Sequence, residues 1–204
     1  MSERKTSNQK WKRRFYSIIV VDIAVLMVIL LLIFWPVEGR DIQPRTDVTE
    51  EESSEFVVRT TKENLNDLVN AYLDQLLKHS KHRYSIDLDD DVHLQGELPV
   101  FSTTVPLSVR LEPFVQDNGD IVLKQKSMSI GLLPLPNRKI MEYIDQYLPM
   151  PPWVTVDPKN EEIYVAVTDM NIKSNFHIRV EHIDLEANHL AFKIKVPYQT
   201  LGID

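Results

Sequence analysis

Residues 15–35 form an unbroken apolar run, FYSIIVVDIAVLMVILLLIFW, interrupted by a single charge at Asp22. At 1.5 Å per residue a helix of that length spans about 31 Å, enough to cross the hydrocarbon core of a bilayer. The pattern predicts an N-terminal transmembrane helix. A second helical pattern follows later. Leu65, Leu68, Val69, Tyr72, Leu73, Leu76 and Leu77 recur at three- and four-residue spacing, one apolar stripe over about four turns. Thr60 and Glu63 have the spacing of a capping box. Lys78, His79 and Lys81 close the pattern, where positive charge suits the helix dipole.

Beyond that helix the period changes to two. Val92, Leu94, Leu98 and Val100 alternate with polar positions, as do Leu107, Val109 and Leu111. Asp117-Asn118-Gly119-Asp120 is a hairpin signal, because Asn-Gly tolerates positive φ. Ile121 and Leu123 continue on the return strand. The phase slips before Met128 and Ile130, which predicts a bulge at residues 125–127. Residues 137–148 read as a short helix carrying Ile140, Met141, Ile144, Tyr147 and Leu148, stopped by Pro149, Pro151 and Pro152. Strands are expected at residues 163–168, 175–186 and 189–196. Their inward sets are Ile163/Val165/Val167, Phe176/Ile178/Val180 and Leu190/Phe192/Ile194/Val196. Ile183 and Leu185 fall out of phase with Val180, which predicts a second bulge at residues 181–182. Ala187-Asn188 is the expected turn.

These elements predict an α+β chain: a transmembrane helix, then a curved antiparallel sheet packed on one long amphipathic helix, with one short helix besides. Residues 1–14 are a basic tail, 15–35 the span, 36–55 an acidic stalk with two prolines, and 56–204 the folded domain. Clean alternation means one sheet face is covered, and the long helix is the expected cover.

Charge orients the chain. The tail carries Arg4, Lys5, Lys10, Lys12, Arg13 and Arg14 against Glu3, so the N-terminus is expected in the cytoplasm and the domain outside. The exit sequence Trp35-Pro36-Val37-Glu38 holds no small-x-small cleavage site, so the span is expected to stay as an anchor. Asp22 reads either as a carboxylate tolerated near the helix start or as a polar contact with a partner helix.

The chain has no cysteine, which removes disulfides, thiolate metal sites and thiol nucleophiles. Its five glycines are too dispersed for a phosphate-binding loop, a GxGxxG turn or a GxSxG elbow. His79 and His82 lack further ligands at metal spacing, and His177, His182 and His189 read as solvent-exposed strand and turn residues. Asp87-Leu88-Asp89-Asp90-Asp91 starts like a calcium loop, but Val92 takes the glycine position and Leu98 the terminal glutamate position. A solvated turn between strands is expected there. The acidic domain does not suit phosphate contacts, so nucleic acid is not an expected partner. No enzyme, cofactor or metal is expected.

The basic tail with its span, TKENLNDLVNAYL, LEPFVQDNGDIVLKQKSMSIGLLPLP, PPWVTVDP and IDLEANHLAFKIKVP follow one another in the order seen in the YpmS family of Gram-positive bacteria, which the chain resembles over nearly its whole length. That resemblance implies a single-pass membrane protein without an assigned activity. A looser likeness is to tubular lipid-binding modules, which wrap a bent sheet around a long helix. It rests on the residue 65–77 helix, the long strands and Gly131-Leu132-Leu133-Pro134-Leu135-Pro136 before the short helix.

The expected function is therefore non-catalytic: binding of a lipid or other amphiphile at the cell envelope. The alternative is a scaffold that docks an envelope enzyme or assembly partner. Expected lining residues are Leu65, Val69, Tyr72, Leu76, Val109, Leu111, Phe176, Ile178, Phe192 and Ile194, with Trp153 at a membrane-facing rim.

Overall fold

The structure is a computed structural model, and it describes residues 4–33, 53–78, 83–100, 103–132, 136–170, 172 and 176–198. The chain divides into two compact units, residues 1–38 and 39–204.

The first unit contains α1, Arg4–Ile33, one uninterrupted helix that takes in most of the basic tail and the apolar run as far as Ile33. Its described side chains, Tyr16 and residues 18–31, are all exposed, Asp22 included. Among the described residues no helix is long and apolar enough to cross a membrane.

The second unit is α+β, with curled antiparallel sheet. Its described elements are β1 (Ser53–Thr60), α2 (Lys62–Leu77), β2 (Arg83–Leu88), β3 (Val92–Val100), β4 (Thr103–Val115), β5 (Ile121–Ile130), α3 (Asn137–Tyr147), β6 (Val154–Asp157), β7 (Glu162–Val165), β8 (His177–Asp184) and β9 (His189–Pro197). A 3-10 turn at Val167–Asp169 ends the strand that the pattern extended to residue 168. The strands form two sheets rather than one: β1-β9-β8, and β2-β3-β4-β5-β7-β6.

The expected acidic stalk covers residues 36–55. Residues 36–52 lie outside the described ones, and Ser53, Ser54 and Glu55 belong to β1, which pairs along its whole length with β9. Backbone pairing, not side-chain hydrophobicity, sets that boundary. Both predicted bulges are present. Arg110 opposes Ser127 and Leu111 opposes Gln125, which leaves Lys126 as the extra residue. Val180 opposes Phe192 and His182 opposes Ala191, which leaves Glu181 as the extra residue. The β4–β5 turn closes through Gly119 at φ +90°, with Gln116 N–H donating to Asp120 O at 2.8 Å. Asn188 takes positive φ in the β8–β9 turn.

The core corrects the expected role of the helices. Ile140, Met141 and Ile144 of the short α3 are fully buried with Leu107, Val109, Leu111, Val156 and Ile163 of the larger sheet. The longer α2 buries none of its residues. At 3.6 residues per turn, Asn66, Asn70, Leu73 and Leu77 share one stripe of α2, and Leu65, Val69, Tyr72 and Leu76 lie about a quarter-turn round. The first stripe meets β2. Ile86 N–H donates to Asn70 Oδ1 at 3.0 Å, Asn70 Nδ2 donates to Ile86 O at 2.7 Å, and Leu88 N–H donates to Asn66 Oδ1 at 3.2 Å. So α2 closes the edge of the six-stranded sheet and does not cover its face. Its N-cap is Thr61, whose hydroxyl accepts from Asn64 N–H, one residue later than the capping-box spacing of Thr60 and Glu63 placed it.

Candidate functional site

The stripe of α2 carrying Leu65, Val69, Tyr72 and Leu76 is the one that the Asn66–Asn70 contact leaves turned away from β2. Leu65, Val69 and Leu76 are half-buried and Tyr72 is exposed. The Tyr72 ring lies 5.8 Å, centroid to centroid, from the ring of Trp153, tilted by 47°. Trp153 precedes β6, where the three prolines and a Pro151–Val154 turn hold the chain. The contact joins two residues that the pattern had singled out separately, one as lining and one as rim. It sets the apolar stripe of α2 beside the start of β6.

The other proposed lining residues are distributed over different layers. Val109 and Leu111 are closed into the core under α3. Ile178 on β8 opposes Ile194 on β9, and Phe192 opposes Val180. Phe56 and Val58 of β1 extend the same two rows. Phe176 precedes β8 and is half-buried. Asp22 lies on α1, in the other unit. An open groove of about 430 Å³ crosses the outer side of β2, β3 and β4, lined by Arg83, Ser85, Gln95, Glu97, Pro106 and Ser108 among others. None of the ten expected lining residues faces it.

Polar clusters that sequence spacing did not reveal surround these surfaces. Asp120 is buried and accepts four hydrogen bonds: from Tyr164 O–H, from Asn118 Nδ2 at 2.7 Å, and from Thr168 N–H and Oγ1 at 2.9 Å each. Burial, and then the hydrogen bond to Asp120, push the Tyr164 phenol up to about 12. Burial does the same to Tyr84 of β2, with a hydrogen bond to Tyr143 of α3 adding to it, so this phenol too sits at about 12. Both stay protonated at neutral pH and serve as donors rather than bases.

The acidic run is not the fully solvated turn expected. Asp91 is buried, with Arg110 Nη1 at 2.9 Å from Oδ1 and Lys126 Nζ at 3.4 Å from Oδ2. Lys126 is the bulge residue, so the slip in strand register helps to aim its amine. Bulge and carboxylate are one arrangement.

His93 joins Gln95 and Ser108: Gln95 Nε2 lies 3.0 Å from Nδ1, and Ser108 Oγ lies 2.8 Å from Nε2. An amide nitrogen only donates, so Nδ1 accepts and Nε2 carries the proton it gives to Ser108. In that tautomer the ring cannot take the serine proton. His182 and His189 have ring centroids 4.9 Å apart. His79 and His82 lie outside the described residues. Among the described residues no three His, Asp or Glu side chains gather closely enough to hold a metal ion.

The family model described as "Uncharacterized protein conserved in bacteria (DUF2140)" matches residues 9–196. The chain belongs to the DUF2140 family. It is similar to "Uncharacterized protein YpmS" of Bacillus subtilis (strain 168), with 30% identity over 190 residues, 93% of this chain and 99% of that protein. The YpmS-family membership expected from the sequence is therefore shown. No solved structure matches the chain. The DUF2140 match spans both units, from within α1 to residue 196 in β9.

Proposed function

We propose that the chain is a single-pass membrane protein whose N-terminus is cytoplasmic and whose second unit stands outside the cell and binds a lipid or other amphiphile without catalysis. The observation that carries this reading is α2. It has an apolar stripe over four turns, yet it buries no residue and is held to the sheet edge by two asparagines. A helix held along one flank leaves the adjacent stripe free to receive an acyl chain between it and Trp153. Each methylene buried there contributes about 0.8 kcal/mol. The likeness to tubular lipid-binding modules belongs to this proposal. The anchor is supported by the continuity of α1 through the apolar run and by the basic tail.

The test uses the full chain in mild detergent with a fatty acid bearing a photoactivatable diazirine. Adducts on the peptides carrying residues 65–77 and 153 support the seam; adducts confined to α1 refute it. Protease added to intact cells separately tests the anchor, since clipping of the second unit is expected and its protection would overturn the orientation.

A second reading, a docking module for an envelope partner, is favoured by the exposed apolar side chains of β1.

A further inference from the structure

The two sheets have four outer edges, and two of them are hydrogen-bonded to other elements. Asn66 and Asn70 pair with the backbone of β2. Gly119 O accepts from Val180 N–H of β8 at 2.8 Å. The helix α3 packs against β6. The free edge of β1 has no hydrogen-bond partner among the described residues, and the strand leaves Phe56 55%, Val57 51% and Val58 43% exposed. An uncovered apolar edge is a template for another strand.

The sequence of β1 says which strand fits. Ser53–Thr60 reads SSEFVVRT. Turn a second copy about a two-fold axis through Val57 and every cross-strand position finds a suitable partner. Val57 meets itself, Phe56 meets Val58, Glu55 meets Arg59 and Ser54 meets Thr60. Aromatic with β-branched, and acid with base, are the favourable cross-strand pairs, and each occurs twice by symmetry. Within one chain Glu55 already touches Lys193, at 3.3 Å, but Arg59 forms no ion pair among the described residues. Moving the axis by one residue, to Phe56 or to Val58, breaks the charge match: Glu55 then meets Val57 or Thr61, and Arg59 meets Ser53 or Val57. Phe56 and Val58 also lie in rows with Ile194, Ile178, Phe192 and Val180, so the pairing would join two apolar faces into one.

We propose that two copies of this chain pair antiparallel through β1, centred on Val57, to form one continuous six-stranded sheet, β8-β9-β1-β1-β9-β8. The pairing adds backbone hydrogen bonds along an eight-residue strand. It does not depend on the amphiphile reading.

The chain has no cysteine, so Val57→Cys places a single thiol on the axis, at a cross-strand spacing a disulfide can bridge. The full chain in mild detergent, oxidised gently, is expected to give a covalent dimer, while Leu68→Cys, exposed on α2, stays monomeric. In the Val57→Cys background, Glu55→Arg alone or Arg59→Glu alone sets like charges opposite each other twice. Each is expected to lower the cross-linked fraction about tenfold. The double reversal restores the match and the dimer. A Val57→Cys chain that fails to cross-link, a Leu68→Cys chain that cross-links as well, or a double reversal no better than the singles would each overturn the proposal.

Discussion

Asn70 does for Ile86 what a neighbouring strand would do. Its Oδ1 accepts from Ile86 N–H at 3.0 Å and its Nδ2 donates to Ile86 O at 2.7 Å, so one side-chain amide completes both halves of a ladder rung. Asn66, one turn earlier, takes Leu88 N–H. A leucine at position 70 suits the helix but leaves the rung open. Asn70→Leu is expected to cost about 1–3 kcal/mol in urea denaturation. It should also speed hydrogen exchange in α2 well before it affects α3. Asn70→Asp should cost no less, because a carboxylate oxygen would then face the Ile86 carbonyl.

The division of labour between the helices has a measurable consequence. Ile144 is fully buried under the larger sheet, whereas Leu68 of α2 is 67% exposed. Ile144→Ala is expected to destabilise by about 2–5 kcal/mol, from lost burial plus the cavity left behind. Leu68→Ala is expected to stay within about 0.5 kcal/mol of the parent. Equal losses would restore α2 to the covering role that its periodicity suggested.

Why that periodicity misled is visible in the residues. The stripe from Leu65 to Leu77 is longer than the apolar set of α3, and length favours it as the core helix. The contrary signal was Asn66 and Asn70, two amides four residues apart beside the leucines, which suits backbone groups better than a core. Strand β2 also carries a readable alternation, Tyr84, Ile86 and Leu88, just before the acidic run. Both bulges were legible, because an extra residue shifts every later side chain to the other face. The pairing of β1 with β9 was not, since nothing local in SSEFVVRT names a partner some 130 residues away. The seam was half legible: Tyr72 and Trp153 each stood out, but their contact is a product of topology. Val109 and Leu111 show the limit of alternation, which marks an inward face without telling core from cavity.

The buried carboxylate of Asp91 is another case in which topology overrides local composition. Three aspartates in a row read as solvated, but Arg110 and Lys126 arrive from β4 and β5 to take one oxygen each. With both oxygens engaged by side-chain cations, the turn has little to offer calcium. Millimolar calcium is expected to shift the melting temperature by less than about 1 °C, as mass action requires when a ligand does not bind the native state. Asp91→Ala is expected to lower stability by about 1–2 kcal/mol, with Lys126→Ala costing less because its amine is more than half exposed.

Alkaline titration tests the tie between Asp120 and Tyr164. The Tyr164 phenol is raised from 10 to about 12, first by burial and then by its hydrogen bond to Asp120, and Tyr84 is raised over the same interval. A group whose folded pKa lies above its unfolded value binds more protons when folded. Its contribution is complete below pH 10 and disappears as the pH rises through 12. Stability is therefore expected to fall across that window, with Tyr143, also raised by burial, adding to the slope of the two phenols. Tyr164→Phe should flatten part of the fall and lower stability at pH 7, because Asp120 loses a donor while staying buried. Tyr84→Phe should flatten a further part. Asp120→Ala should be the more damaging change at neutral pH, at about 3 kcal/mol or more, because Tyr164, Asn118 and both donors of Thr168 lose their acceptor together. Denaturant melts of the three variants at pH 7 and pH 11 separate these effects. A parent chain whose stability is unchanged between the two pH values would show that neither phenol is held as the geometry requires.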